Sequence, residues 1–252
     1  MKIKFGLKLW STNTNLIDQA IHLIDEKIFS YLELLVIPGT RISKFTIDVP
    51  YIIHIPHHKF GVNIGEAGKK KYNMEKINEA IIWADKLDAK YLILHAGHGS
   101  MKDAEEVLRE ISDDRMLLEN MPKVGLDNEK MIGYSPKQIE EMMGISNIGL
   151  CLDFGHAVKA AVSLGKDYKV YMKEFLGFEP RIFHMSDGML SNEKDEHLSF
   201  GKGELDFEYL LGCVMSNNSK FITIETTRVN QKSLQEDIQS VEFLKNMIDT
   251  LT

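Results

Sequence analysis

At 252 residues, with 44% apolar and 27% charged side chains, the chain has the usual length of one α/β barrel and a composition that excludes disordered and fibrous classes. A formal net charge of −7 argues against a protein that coats nucleic acid electrostatically, although a small site can still be locally positive. Two cysteines and the lack of a long apolar run exclude a disulfide framework, a Cys-rich zinc module and a membrane span. The N-terminus Met1-Lys2-Ile3-Lys4-Phe5 reads as a first strand rather than a signal peptide, so the expected location is cytoplasmic, with no membrane partner.

Short β-rich runs alternate with helical spacing from end to end, the pattern of βα units around a parallel sheet. Eight strands are predicted, over Lys4–Leu9, Tyr31–Ile37, Tyr51–Pro56, Tyr91–Ala96, Met116–Asn120, Gly149–Phe154, Arg181–Met185 and Phe221–Thr226. Between them, apolar residues such as Met74, Ile77, Ala80, Ile81, Ala84 and Leu87 recur every three or four positions, as on one helix face. Lys69-Lys70-Lys71 reads as a solvated helix start. Ser135-Pro136-Lys137-Gln138 and Ser233-Leu234-Gln235-Glu236 read as capping boxes, the first with proline at the opening helical position. No linker or low-complexity stretch divides the chain, so residues 1–252 are expected to form a single-domain α/β (β/α)8 TIM barrel, with a doubly wound open sheet as the alternative.

The barrel is favoured because polar residues stand at the C-terminal ends of at least six strands, and only a closed ring brings all six together. Residues two apart in a strand share a face. That places His54 above Ile52, His95 above Ile93, Glu119 above Leu117, Asp153 above Cys151, His184 above Ile182 and Glu225 above Thr223. Crowding so many ionisable groups together without counter-charge would be prohibitive, and bound cations are the simplest remedy. Loops add His156, with Gly155 expected to make the tight turn that aims it at the mouth. Asp195 and His197 join from the polar loop that follows His184. Five histidines and four carboxylates would serve two or three ions at three or four protein ligands each. His57, His58 and His98 stand nearby and are expected to be exposed loop side chains, and His22 a surface one. Cys151 is expected to pack in the barrel interior. Gly201 and Gly203 are expected to turn the backbone before a helix capped by Asp206, a phosphate cradle being the weaker reading.

The motifs resemble those of the xylose isomerase-like barrel superfamily, and within it the endonuclease IV branch (AP endonuclease family 2). His54-Ile55-Pro56, His95-Ala96-Gly97, Glu119-Asn120, Cys151-Leu152-Asp153-Phe154-Gly155-His156, Asp195-Glu196-His197 and Glu225-Thr226 are similar to its strand-end motifs. The resemblance implies one zinc ion on His54, His95 and Glu119. It implies a second, shared through Glu119, on Asp153, His184 and Glu225, and a third on His156, Asp195 and His197. It implies a phosphoester hydrolase, with abasic-site DNA the most specific candidate substrate, in which Glu225 orients or deprotonates water and Glu119 bridges two ions.

The loop after the second strand, Ile37-Pro38-Gly39-Thr40-Arg41, is shorter than in that branch, and His57 stands where an aromatic is expected. Asp153-Phe154-Gly155-His156 and His184-Met185-Ser186-Asp187 also resemble the sugar isomerase and epimerase arm. The alternative is therefore an isomerase or epimerase of a small sugar or sugar phosphate, holding one Mn2+, Mg2+ or Co2+ ion and moving a proton between Glu119 and Glu225.

Overall fold

Eight strands close into a parallel barrel in the computed structural model, which describes residues 2–251. In chain order they are β1 (Lys4–Trp10), β2 (Tyr31–Leu35), β3 (Tyr51–His54), β4 (Leu92–His95), β5 (Met116–Glu119), β6 (Gly149–Asp153), β7 (Ile182–Met185) and β8 (Phe221–Ile224). Each pairs with the next, and β8 returns to β1 with Phe221 opposite Lys4. The open-sheet alternative is thereby excluded. The described helices are α1 (Ile17–Asp25), α2 (Lys70–Lys86), α3 (Met101–Leu108), α4 (Pro136–Ser146), α5 (Phe154–Ser163), α6 (Tyr168–Leu176), α7 (Phe207–Ser216) and α8 (Gln235–Leu251). None is long and apolar enough to cross a membrane.

Helices and strands do not alternate one for one. Between β2 and β3 the chain makes only a 3-10 turn at Ile42–Lys44, in a segment interrupted by Pro38, Gly39 and Pro50, which break helical continuity. Two helices, α5 and α6, lie between β6 and β7. Several strands stop earlier than their apolar runs suggest: β3 ends at His54, before Pro56, and β8 at Ile224. One further backbone bond, Glu225 N–H to Met185 O at 3.0 Å, pins Glu225 just past the end of β8.

The barrel interior explains the site's position. Tyr31, Ile52, Ile93, Leu117, Cys151 and Ile182 form a separate buried cluster, one side chain from each of six strands. β1 contributes Gly6, where a Cβ would lie 2.2 Å from Tyr31 Cε2; the missing side chain makes room for the tyrosine ring. β8 contributes Thr223, whose hydroxyl lies 2.9 Å from that of Tyr31. Two residues further along each strand, on the same face, stand Lys8, Glu33, His54, His95, Glu119, Asp153, His184 and Glu225. An apolar layer thus forms the floor beneath a ring of ionisable groups.

Cys151 lies in that floor, as expected. Of the predicted caps, Ser135 accepts from Gln138 N–H at 3.3 Å and Asp206 from Tyr209 N–H at 3.0 Å. Gln138 does not complete a capping box, because its Oε1 accepts from Gly133 N–H at 2.9 Å. At Ser233 no box forms either; Glu236 accepts from the N–H groups of Val229 and Asn230 and ties down the preceding loop. Lys69 and Lys70 pair with Glu66 and Glu110 at the exposed start of α2, consistent with a solvated run.

The loop after β7 is held from both ends. Asp187 accepts from Gly188 and Gly203 N–H, each at 2.8 Å, and from Leu205 N–H at 3.3 Å. That carboxylate uses the Gly203 amide a phosphate cradle would need. Lys159, buried on α5, donates to Met189 O and to Glu196 Oε2, both at 2.6 Å, and Glu196 sits between Asp195 and His197. Replacing Lys159 with Met removes a buried donor, leaves these acceptors without it, and is expected to lower unfolding free energy by about 1–3 kcal/mol. Denaturant unfolding and limited proteolysis check this; loss of stability without new cleavage within residues 187–206 would show that Lys159 does not anchor the loop.

Candidate metal centre

Glu119 lies at the centre of the ring, wholly buried at the end of β5. Its Oε2 is 3.0 Å from His95 Nε2, 3.4 Å from His184 Nδ1 and 3.8 Å from His54 Nε2, and its Oε1 is 3.2 Å from His156 Nδ1. His184 Nδ1 is a second meeting point, 3.0 Å from Glu225 Oε1 and 4.0 Å from Asp153 Oδ2. The third group is set slightly apart: Asp195 Oδ2 lies 2.6 Å from His197 Nε2 and 3.5 Å from His156 Nε2. All nine residues singled out in the sequence therefore gather at one mouth. Ligand atoms of His54, His95 and Glu119 fall within 4.8 Å of one another, as do those of His156, Asp195 and His197. Cys151 also lies within such a group with Glu119 and His184, but burial pushes its thiol well above the ordinary range and keeps it protonated.

Neighbouring groups orient the side chains. His156 Nδ1 lies 2.8 Å from Asn120 O, and His197 Nδ1 2.8 Å from Glu225 O, leaving each Nε2 toward Asp195. Asn120 clamps the end of β6, accepting from Asp153 N–H at 2.7 Å and donating to Asp153 O at 2.9 Å. Asp153 caps α5 through Oδ1, which accepts from His156 N–H at 2.7 Å. Gly155 is not in a tight turn as expected; it lies in the first turn of α5, where a Cβ would meet Asp195 Oδ1 at 3.3 Å and Ser186 Oγ at 3.3 Å. Its small size lets the loop after β7 approach the helix.

The buried atoms His54 Nε2, His95 Nε2, both Glu119 oxygens, Asp153 Oδ2 and His184 Nδ1 make no hydrogen bond. Each such atom left without a partner costs about 1–3 kcal/mol. All are nitrogen or oxygen donors of the kind divalent ions take, and they converge, so the residues present fit a metal.

Two members of the ring were not found from the sequence. Lys8 donates to Glu33 Oε1 at 2.7 Å and also bonds Glu225. Glu33 lies beneath His54 and His184. The face rule that located the other six identifies both, but Lys8 and Glu33 sit inside their strands rather than at the ends. His57 and His58 also differ from expectation. They are partly buried and line the cavity, and His57 stacks on His95 with ring centroids 5.2 Å apart. His22 is exposed on α1, as expected.

A sequence model described as the xylose isomerase-like TIM barrel matches residues 40–247. The chain belongs to the xylose isomerase-like TIM barrel family. Among curated relatives, a probable endonuclease 4 from Mycoplasmopsis synoviae (strain 53) is 26% identical over 211 residues, covering 75% of this chain and 74% of the relative, and supports the endonuclease IV branch. Two solved structures share the fold over 98% of this chain. A D-tagatose 3-epimerase-like protein has a TM-score of 0.75 at 20% identity, covering 98% of that chain. Endonuclease IV from Thermus thermophilus has a TM-score of 0.73 at 18% identity, covering 99% of that chain.

In this xylose isomerase-like barrel the charges compensate one another. Burial opposes ionisation of Glu119 and Glu33, but the adjacent histidines, together with Lys8 for Glu33, outweigh it and hold both well below the usual carboxylate range. Asp153 goes the other way, to about 6, through burial and the nearby Asp195, Glu119 and Glu225. Burial, helped by Lys8, lowers His54 to about 4, so its ring is neutral near pH 7 as a metal ligand requires.

For His197, burial is outweighed by Asp195 and the shift is upward, to about 9. A histidine raised above its unfolded value of about 6.5 contributes stability that is complete below that pH and disappears as pH rises through the folded value. Chelator-treated protein is therefore expected to lose thermal stability between about pH 6.5 and about pH 9, and His197→Gln to flatten that slope. A pH series of melting curves with an unchanged slope in the variant would contradict the Asp195–His197 assignment.

Proposed function

We propose that this chain is a metal-dependent phosphoester hydrolase of the endonuclease IV type, holding two or three zinc ions. The observation that carries this reading is the surplus of inward-facing donors. One ion needs only Glu119, Asp153, His184 and Glu225, yet His54 and His95 converge on one side and His156, Asp195 and His197 on the other. The ligand sets are His54, His95 and Glu119; Glu119, Asp153, His184 and Glu225; and His156, Asp195 and His197.

Bound divalent ions would supply Lewis-acid polarisation of a phosphoryl group and hydroxide near neutral pH. The chain's own residues do the rest. Glu225 has Oε1 engaged by Lys8, leaving Oε2 to orient or deprotonate a water. His184 and the Lys8 ammonium, the latter raised above its ordinary value because Glu225 and Glu33 outweigh the opposing effect of burial, keep that carboxylate ionised. Glu119 joins the first two ligand sets. His57 packs against His95 and restricts that ring.

A cavity of about 540 Å3 opens over these groups, with Trp10, 47% exposed, packed edge-on against Phe60 at its rim. This is the size of a small-molecule site. Abasic-site DNA is the substrate that the endonuclease IV relatives suggest, and the cavity adds small sugar phosphates and nucleotides to the panel. The second reading, a one-ion sugar or sugar-phosphate epimerase using Mn2+, Mg2+ or Co2+, is favoured by one specific observation. His184 Nδ1 lies within 4.0 Å of Glu119, Asp153 and Glu225 together, a four-residue set with two glutamates available for proton transfer.

Plasma mass spectrometry of unsupplemented protein separates the two: two or three zinc ions per chain support the hydrolase, and one manganese, magnesium or cobalt ion supports the epimerase. Under the hydrolase reading, Glu119→Ala should lose two ions together, His197→Ala chiefly the third, and each should reduce cleavage of the active phosphoester by at least about 100-fold. Full metal content in both variants would show the ligand sets to be wrong.

A further inference from the structure

Glu33 is fully buried within β2, and none of the three ligand sets uses it. Both its oxygens are engaged. Oε1 lies 2.9 Å from His54 Nδ1 and accepts from Lys8 Nζ at 2.7 Å. Oε2 lies 2.9 Å from His184 Nε2 and accepts from Thr223 Oγ1 at 2.6 Å. An ionised carboxylate only accepts, so each histidine must present N–H to it. In a singly protonated, ligating ring this leaves Nε2 of His54 and Nδ1 of His184 to bind an ion. These are the two ring nitrogens that lack a hydrogen bond and point to Glu119.

Resting on the metal reading above, we propose that Glu33 is a positioning residue that selects the ligating nitrogen of two histidines at once, one in each of the first two ligand sets. Lys8 makes this selection necessary. Its Nζ is 2.7 Å from His54 Nδ1, and a neutral ring accepting a hydrogen bond there would carry its own hydrogen on Nε2, presenting N–H where an ion needs a lone pair. Glu33 competes for the same nitrogen as an acceptor and turns the ring the other way. Carboxylate partners of metal-binding histidines ordinarily serve one ring; this one spans two, so the filling of the two sets is coupled through β2.

The competing reading is that Glu33 is only a counter-charge for Lys8. Glu33→Gln and Lys8→Met separate the two. Under the proposal, Glu33→Gln weakens binding of the first two zinc ions by about 10–100-fold in a competition titration against a chromophoric chelator, while the ion on His156, Asp195 and His197 keeps its affinity. Lys8→Met, which removes the cation and leaves the acceptor, weakens those two ions less than Glu33→Gln does. The reverse ranking, or equal binding by wild type and Glu33→Gln, overturns it.

Ring-nitrogen NMR of the metal-free wild type tests the same point without an ion and without a variant: His54 should carry its proton on Nδ1. A proton on Nε2 overturns the proposal even if zinc binds. Conversely, a wild type that takes up no zinc removes the hydrolase reading, while the NMR result still reports on Glu33.

Discussion

Glu33 and Glu119, both fully buried, share the barrel mouth with Asp153, Asp195 and Glu225, and His54, His95, His156, His184, His197 and Lys8 stand against them. Carboxylates at this depth are tolerated only when paired or coordinating. Compensation of this charge governs the rest of the mouth. It explains why Lys8 reaches across to both Glu33 and Glu225, why Asp153 alone is shifted toward protonation, and why several ligand-type atoms have no protein partner.

Closure of the sheet makes such crowding feasible. In a parallel barrel alternate residues of every strand point inward, so an apolar layer from Gly6 to Thr223 can support a polar residue two positions further along each strand. The floor is buried, and charges above it interact more strongly than they would in water. Parts of the site that strands cannot supply are brought in by local devices. Asp153 ends β6 and caps α5, which sets His156 three residues on; Lys159 and Asp187 fasten the loop that delivers Asp195 and His197. The same α5 therefore carries one ligand-type residue and anchors the loop that carries two more.

The fold family accommodates both endonucleases and epimerases, and the barrel alone does not choose between chemistries. The chemistry is set by the content of the mouth. Donor groups flank the central His184 set on both sides, a lysine sits inside the ring, and His57 and His58 line the cavity. The concave opening, with an exposed tryptophan at its rim, has the size of a small-molecule site.

Periodicity and strand-end polarity were enough to read the barrel, the inward face of each strand, and six of the nine residues that gather at its mouth; His156, Asp195 and His197 were read from the loops that follow. They sufficed because both signals are local: the face of a strand residue follows from counting by two, and a parallel barrel has one functional end. Lys8 and Glu33 escaped because they stand inside their strands rather than at the ends, so strand-end polarity passed over them. The partners that make them functional lie at least 21 residues away in sequence. The same reason hid the tie from Glu236 to the preceding loop, the crowding that requires Gly155, and the carboxylate on the Gly203 amide. Sequence by itself determined which residues face inward; the tertiary structure alone decided which of them meet, because hydrogen-bond geometry and charge compensation exist only between side chains brought together by closure.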